Sequence, residues 1–430
     1  MRCSLDKKIK VLVLSDHPLS PSGVANQTKY FIEGLLKTGK FSFVCLGGAM
    51  KHKDYRPIKV EPPKDETRWV AEDWTIFPVD DYGNPDIIRS VLRTQRPDIL
   101  WFMTDPRFFV WLWEMEDEIR PLIPMVYYHV WDNYPYPTYN EPFYASNDHI
   151  VTISKVTDDI VKTVAPRVPR TYLTHAVDMD VFKPLEKSVV EEAKKQFFGP
   201  RANSFLVFWN GRNARRKLSG SLIFWFKAFL DKIGKDKATL LMHTDVKDLN
   251  GQDLEAIIHH LGLTNGEVVF SQDKIDPQQM ALVNNMADVA INVSEAEGHG
   301  VPISEALACG KPVIVTKTGG LQSQVYDDDG NELGVCMEPV SRAVVGSQPI
   351  PFIYEDRVSE QQVVDALSKM YNMTSEEREL LGVKAREHAM KYLSLTDYVK
   401  NWDKLMTDIY EACGSWENRK NYSAWHFTKI

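Results

Sequence analysis

The feature that most restricts the fold is a series of short, continuous apolar runs, each followed by a loop and a helical pattern. The first run is "KIKVLVLSD", ending at Ser15-Asp16. Its centre, Val11-Leu12-Val13-Leu14, is apolar without alternation, which suits a strand buried on both faces of a parallel sheet. The loop "HPLSPSG" follows, then the helical pattern "VANQTKYFIEGLLKTG", which Gly39 stops, then a second run, "FSFVCLGG". This β-loop-α-β order opens a doubly wound sheet. "DILWFM", "MVYYHVW" and "HIVTIS" continue it, interleaved with helical "NPDIIRSVLRTQ" and "KVTDDIVKTVA". The charged helical stretch "LEKSVVEEAKKQFFG" then interrupts the pattern. A second series runs through "SFLVFWNG", "ATLLMHTD", "EVVFSQ", "DVAINVS" and "KPVIVT", and the tail from about residue 356 reads as amphipathic helix. The fold class is therefore α/β, with two Rossmann-like doubly wound domains. The boundaries expected are 1–185, a linker at 186–203, a second domain at 204–395 and a helical arm at 396–430. The least readable region is 50–75.

Bulk properties narrow the function. Apolar residues make up 43% of the chain, charged residues 26%, and the net charge is −8. That balance argues against sequence-independent nucleic-acid binding, which needs a basic face, while leaving room for a local basic pocket. No run of about 18 apolar residues occurs, so no membrane span is expected. The N-terminal run reads as a buried strand rather than a signal peptide. The cysteines Cys3, Cys45, Cys309, Cys336 and Cys413 are odd in number and lack a CxxC pair. Free thiols in a reducing compartment, hence a cytoplasmic location, are the simplest account.

In open α/β sheets, ligands sit beyond the carboxyl ends of strands, so the loops that follow strands matter most. "AEGHGVPISEALACGKPVIVTKTGG" follows the strand "VAINV" and carries Glu297 and Glu305 eight positions apart. Pro302 suits a first helical turn and Gly310 a helix stop, which places Glu305 in the first turn, where the helix dipole favours a carboxylate by about 0.3–1 kcal/mol. That alone leaves Gly298 and Gly300 unexplained. Glycines admit a close approach of backbone to ligand, and carboxylates can grip the vicinal diols of a sugar or ribose. In "WNGRNARRKLSG", Asn210-Gly211 ends a strand and Arg212, Arg215, Arg216 and Lys217 follow. This is either a solvated basic loop or a diphosphate site. "SDHPLSPSGVANQT" puts Gly23 at a helix start, which is either a plain turn or an anion site, and it lacks GxGxxG. "YYHVWDNYPYP" puts His129 and Asp132 after a strand among aromatics that suit a sugar-binding cleft. No His/Cys/Asp cluster has metal-ligand spacing.

"EGHGVPISE" resembles the E-x7-E motif of retaining glycosyltransferases with the GT-B fold, in particular the glycogen-synthase-like family 4. "ALACGKPVIVTKTGG" is similar to the continuation of that motif, "NGRNARRK" to the family's Gly-Arg…Lys element, and "THAVDMDVFKP" to its interdomain signature. The resemblance spans about residues 8 to 410 and is weakest over 50–145. It implies a GT-B architecture with the C-terminal helix crossing back to the first domain. It also implies transfer of a sugar from a nucleotide-diphosphate sugar, UDP- or GDP-linked, to a hydroxyl of a glycan, lipid-linked or protein-glycan acceptor, without metal or other cofactor. Glu297 then contacts the donor sugar and Glu305 the ribose. Arg212 and Lys217 bind the diphosphate, with Arg216 as a rival to Lys217. Gly23, Gly211, Gly298, His299, Gly300 and Val301 complete the donor site. His129 lies near the donor sugar, and His299 stands where the family has an aromatic. Two rivals remain open at this point: a nucleotide-sugar epimerase of the same fold and a non-catalytic sugar-nucleotide binding protein. Trp101, Trp111 and Trp113 could serve a peripheral membrane contact, but their alternation with apolar residues favours a core role.

Overall fold

The computed structural model describes residues 7–327 and 329–423. Cys3 and the last residues of the helical arm lie outside them. The first sheet contains β1 (Ile9–Asp16), β2 (Phe41–Gly48), β3 (Ile58–Lys59), β4 (Trp74–Pro78), β5 (Ile99–Thr104), β6 (Met125–His129), β7 (His149–Thr152) and β8 (Arg170–Tyr172), in the order β3-β4-β2-β1-β5-β6-β7-β8. All neighbours are parallel except β3, which pairs antiparallel with β4. The apolar run at Val11–Leu14 is the centre of this sheet, with Val13 opposite Cys45 on one side and Trp101 on the other. Helices cover both faces, so strand residues of either parity are buried. Trp101 and Trp113 are buried in these cores and Trp111 packs against one of them, so neither buried indole is free to meet a membrane.

The second sheet contains β9 (Phe205–Asn210), β10 (Ala238–His243), β11 (Val268–Ser271), β12 (Val289–Asn292), β13 (Val313–Thr316) and β14 (Gly334–Met337). It is parallel throughout, in the order β11-β10-β9-β12-β13-β14. The charged stretch before it forms the helix Lys187–Phe198, whose Ala193 packs with Leu206 and Phe208 of β9. That helix therefore belongs to the second unit's packing rather than hanging free between the units. At the other end, the helix Leu395–Cys413 returns to the first unit. Tyr398, Trp402, Met406 and Ile409 complete the core around Phe31 and Trp101, with the Phe31 and Trp101 rings stacked 4.5 Å apart and Trp402 edge-on to both.

An antiparallel hairpin of β15 (Ser341–Ser347) and β16 (Ile350–Arg357) leaves the second unit after β14. Its far end is built into the first unit. Ile350 joins the core there, and the Tyr354 N–H donates to the Tyr134 carbonyl at 2.6 Å. Asn133 Nδ2 donates to the Tyr354 carbonyl at 2.7 Å, and the Tyr139 hydroxyl donates to that of Phe352 at 2.8 Å. The hairpin thus straps the two units together. No helix among the described residues is long and apolar enough to cross a membrane, and Cys45, Cys309, Cys336 and Cys413 are free thiols.

Candidate functional site

The carboxyl ends of β1, β5 and β6 face those of β9 and β12 across a cleft, as doubly wound sheets dictate. A cavity of about 620 Å³ lies between them. The first unit lines it with Gly23, Thr104, Asp105 and Trp131–Asn133, and the second with Arg215, Arg216 and Ala296–Pro302. The hairpin closes one side with Val345–Ser347, Ile350 and Glu355.

The acid loop after β12 shows why its glycines are needed. A Cβ on Gly298 would come within 2.9 Å of the Val130 carbonyl oxygen of the first unit. Gly300 caps the following helix at φ +87°, a backbone state that favours glycine. The pair Gly319-Gly320 of "TKTGG" lies flat against this loop, where side chains would run into the carbonyls of Glu297 and Gly298. The Gly320 N–H donates to the Glu297 carbonyl at 2.9 Å. One consequence is chemical. The N–H groups of Gly298, His299, Gly300 and Val301 have no acceptor among the described residues, and all four residues line the cavity. Successive free amides opening a helix form an anion-binding concavity.

The helix itself spans Val301–Ala308 with Pro302 in its first turn. Glu305 therefore falls in the second turn, not the first as the sequence suggested, and the dipole argument for it weakens because the effect fades beyond one turn. Its partly buried carboxyl lies near Tyr30 and is pushed up to about 8 by burial. It does not line the cavity.

The cation loop after Gly211 divides its charges. Arg212 is turned outward and forms a fork with Asp248, at 2.6 and 3.2 Å, while 65% of its side chain is exposed. Arg216 lines the cavity and donates to the Ala296 carbonyl at 2.5 Å. Lys217 is nearly buried and its ammonium is bonded to the Glu297 carboxylate. Burial and the neighbouring Arg216 pull the Lys217 ammonium well below its usual range, with Asp132 opposing. Both cations that rivalled each other for one role are thus present, Arg216 on the cavity wall and Lys217 beside the acid. Gly211 directs its missing side chain at the Trp209 ring, where a Cβ would sit 3.3 Å away.

In the first unit, Gly23 opens the helix Gly23–Leu36, with Ser22 as its cap, and nothing stands within 4 Å of where its Cβ would be. His129 ends β6 but its ring is wholly buried behind the wall. Nε2 meets the Tyr144 hydroxyl at 2.8 Å, Nδ1 has no partner, and burial holds the ring at about 3. Asp132 and Asp105 do reach the cavity. Burial raises both carboxyls; Arg107 and then Arg216 oppose this at Asp105, and at Asp132 Arg216 opposes it while Asp105 adds to the rise. His299 bridges the units, with Nδ1 3.1 Å from the Thr174 hydroxyl and Nε2 2.9 Å from that of Ser304, and burial holds it at about 3.

Sequence reasoning missed the hairpin and the buried carboxylates at its root. Glu295 and Glu355 sit behind Arg215, with Arg357 3.0 Å from Glu295. Burial and then Glu355 raise the Glu295 carboxyl, whereas at Glu355 burial also raises it but Arg215, Glu295 and Arg357 together bring it down. The alternation in "SRAVVGSQPIPFIYEDR" around a Gly-Ser-Gln-Pro turn was the available signal. Among the described residues no group of three or more His, Cys, Asp or Glu side chains could hold a metal ion.

Residues 245–346 match the family described as glycosyl transferases group 1. The D-inositol 3-phosphate glycosyltransferase of Xylanimonas cellulosilytica is 25% identical over 204 residues, 47% of this chain and 48% of that protein. The enzyme of the same name from Paenarthrobacter aurescens is 30% identical over 154 residues, 35% and 36% of the respective chains. The matches thus span about half the length of these curated relatives or less. Among solved structures, Anabaena HepE in complex with UDP and glucose superposes with a TM-score of 0.68 at 15% identity, covering 93% of this chain and 100% of that one. Sucrose-phosphate synthase from Thermosynechococcus elongatus gives 0.71 at 14%, covering 94% and 100%. The fold is GT-B.

Proposed function

We propose that this protein is a retaining glycosyltransferase that moves a sugar from a nucleotide-diphosphate sugar to an acceptor hydroxyl without a metal. The observation that carries the reading is the row of free amides at Gly298–Val301, facing the cleft beside the Lys217–Glu297 pair. Such a row suits a phosphate, and a carboxylate beside it suits a sugar. The family match and the UDP complexes of HepE support the same donor class. UDP and GDP are the leading nucleotides, and the acceptor is a glycan or a lipid-linked sugar.

In this reading the anomeric carbon–oxygen bond breaks and its electron pair leaves with the diphosphate. The acceptor hydroxyl attacks from the same face and gives its proton to the departing phosphate oxygen. Charge grows on the diphosphate as the bond lengthens, so donors already in place around it lower the barrier. The amides, Arg216 and Lys217 would supply them. Arg212 joins only by leaving Asp248, a carboxylate 13% exposed that then keeps its bonds from Asn250. Glu297 orients the sugar and holds Lys217, and Glu305, which does not line the cavity, would take the ribose only where the bound nucleotide opens the space in front of it.

A thermal-shift panel of UDP, GDP, ADP, dTDP and CMP, each with EDTA and with magnesium, tests this. A ligand at about 100 times its dissociation constant stabilises the native state by about 2.7 kcal/mol. One diphosphate should raise the melting temperature with EDTA present. The matching sugar nucleotide should then yield, by NMR, a product with the donor's anomeric configuration. No shift with any nucleotide, or an inverted product, would sink the proposal.

A further inference from the structure

The guanidinium of Arg215 has a hydrogen-bonding edge that no described residue uses. Nη1 donates to Glu295 at 3.2 Å and to Glu355 at 2.8 Å, and Nη2 donates to Glu355. Guanidinium carries five N–H donors in a rigid plane. These bonds occupy both protons of Nη1 and one of Nη2. The two left are on Nε and Nη2, side by side on one edge of the plane. That edge is the fork that matches two oxygens of a phosphate.

The surroundings present this edge to the cleft. The two carboxylates are only 5% and 3% exposed, whereas the Arg215 side chain is 61% exposed and lines the cavity. Glu295 is set back from the cavity, and Glu355 shares the cavity wall with Arg215. Glu355 comes from the hairpin, and Glu295 lies two residues before Glu297. The loop is fixed from behind as well, because the Glu295 N–H donates to the Arg216 carbonyl at 2.8 Å and the Asp356 N–H to the Glu295 carbonyl at 2.9 Å.

We propose that Arg215 is a further phosphate-binding side chain of the cleft and that Glu355 of the hairpin is the residue that positions it. The assignment rests on the glycosyltransferase reading and adds to it a contact supplied by the hairpin. A phosphate could belong to the donor's diphosphate or to a phosphorylated acceptor, and the experiment separates the two.

Calorimetric titrations with UDP and GDP, and with glucose 6-phosphate in the presence of the better-bound nucleotide, are made on wild type, Arg215→Gln, Arg215→Lys and Glu355→Gln. Circular dichroism and melting curves establish that each variant is folded. Losing one charged hydrogen-bonded contact should weaken binding about tenfold. A loss for the nucleotide in Arg215→Gln assigns the fork to the donor, and a loss for glucose 6-phosphate alone assigns it to the acceptor. In either case Arg215→Lys should recover only part of the loss, since it keeps the charge and lacks the fork. Glu355→Gln should fall in the same direction as Arg215→Gln. If Arg215→Gln binds both ligands within about twofold of wild type, the fork has no phosphate role. If only Glu355→Gln is silent, its positioning role is wrong. Wild type that binds no nucleotide would defeat the glycosyltransferase reading itself, and this assignment with it.

Discussion

Replacing Glu305 with Gln isolates the most perturbed carboxyl of the acid motif. Burial lifts it from its ordinary value of 4.5 to about 8, and about 1.4 kcal/mol attaches to each tenfold change in proton affinity, so the ceiling is about 5 kcal/mol. Water still reaches this partly buried side chain, and about 2 kcal/mol is the size to look for. The sign follows from where the proton sits. Below about pH 4.5 both folded and unfolded chains hold it, and there is no effect. Between about 4.5 and 8 the unfolded chain releases it while the folded chain keeps it, so stability falls as pH rises. Above about 8 the folded carboxyl is ionised as well and the loss is complete. Glutamine carries no such proton. Urea melts of wild type and Glu305→Gln from pH 5 to 9, followed by tryptophan fluorescence, should nearly coincide at pH 5. At pH 8 to 9 the variant should be the more stable by about 2 kcal/mol. If the difference between the two proteins is the same at every pH, Glu305 is not the buried proton holder described above. The same ionisation bears on function. An anchor for ribose hydroxyls is the carboxylate, so nucleotide affinity in wild type should rise between pH 6 and 8, and in the variant it should be lower and flat.

Lys217→Ala removes a cation at the leaving group and should cut transfer by about 10²–10³-fold. It also leaves the Glu297 carboxylate unpaired and nearly buried, so a lower melting point should accompany the loss, and a variant with full transfer rate would exclude Lys217 from the chemistry. Gly320→Ala drives a methyl group into the Gly298 carbonyl and should displace the free amides. Nucleotide affinity should drop about tenfold or more while the core of the first unit keeps its hydrogen-exchange protection, and wild-type affinity would show that the loop tolerates the shift. His129→Gln should leave both nucleotide affinity and transfer within about threefold of wild type, because the ring sits behind the cavity wall against Tyr144. A large loss of transfer with intact nucleotide binding would instead restore a direct role for this imidazole.

The readable parts of this chain were those where burial dictates composition. Val11–Leu14 and Phe205–Trp209 are buried on both faces, so their apolar runs suited central strands, whereas the strand order of the two sheets was not readable from them. Gly298 and Gly300 stood out as glycines in the sequence, but what approaches them is the chain itself, Val130 and Leu321, and Gly320 against the Gly298 carbonyl was not read. What stayed hidden depends on direction, which residue type does not encode. Four cations follow Gly211, and nothing in "RNARRK" tells that Arg212 turns to Asp248, that Arg216 lines the cleft or that Lys217 meets Glu297. Those orientations are set by partners far along the chain. Asp248 lies in the loop after β10, Glu297 after β12 and Glu355 on β16. The strand β4 escaped notice because Trp74–Pro78 is a short run among exposed charged and proline-rich segments.

The hairpin shows the same limit at the level of an element. Its alternation marks two strands, but half of β15 and β16 is exposed, which as sequence looks like a surface arm. Only its destination gives it meaning. Ile350 enters the first unit's core while Glu355 holds Arg215 of the second. Opening the cleft by rotating the units apart must therefore either carry the hairpin away from Tyr134 and Tyr139 or pull Glu355 from Arg215. The second route strips a buried carboxylate of its cation, which costs several kcal/mol, whereas the first exposes three hydrogen bonds at about 1 kcal/mol each and withdraws Ile350 from the core at about 1.5–3 kcal/mol. The two routes are therefore similar in cost, and the hairpin resists opening of the cleft by either.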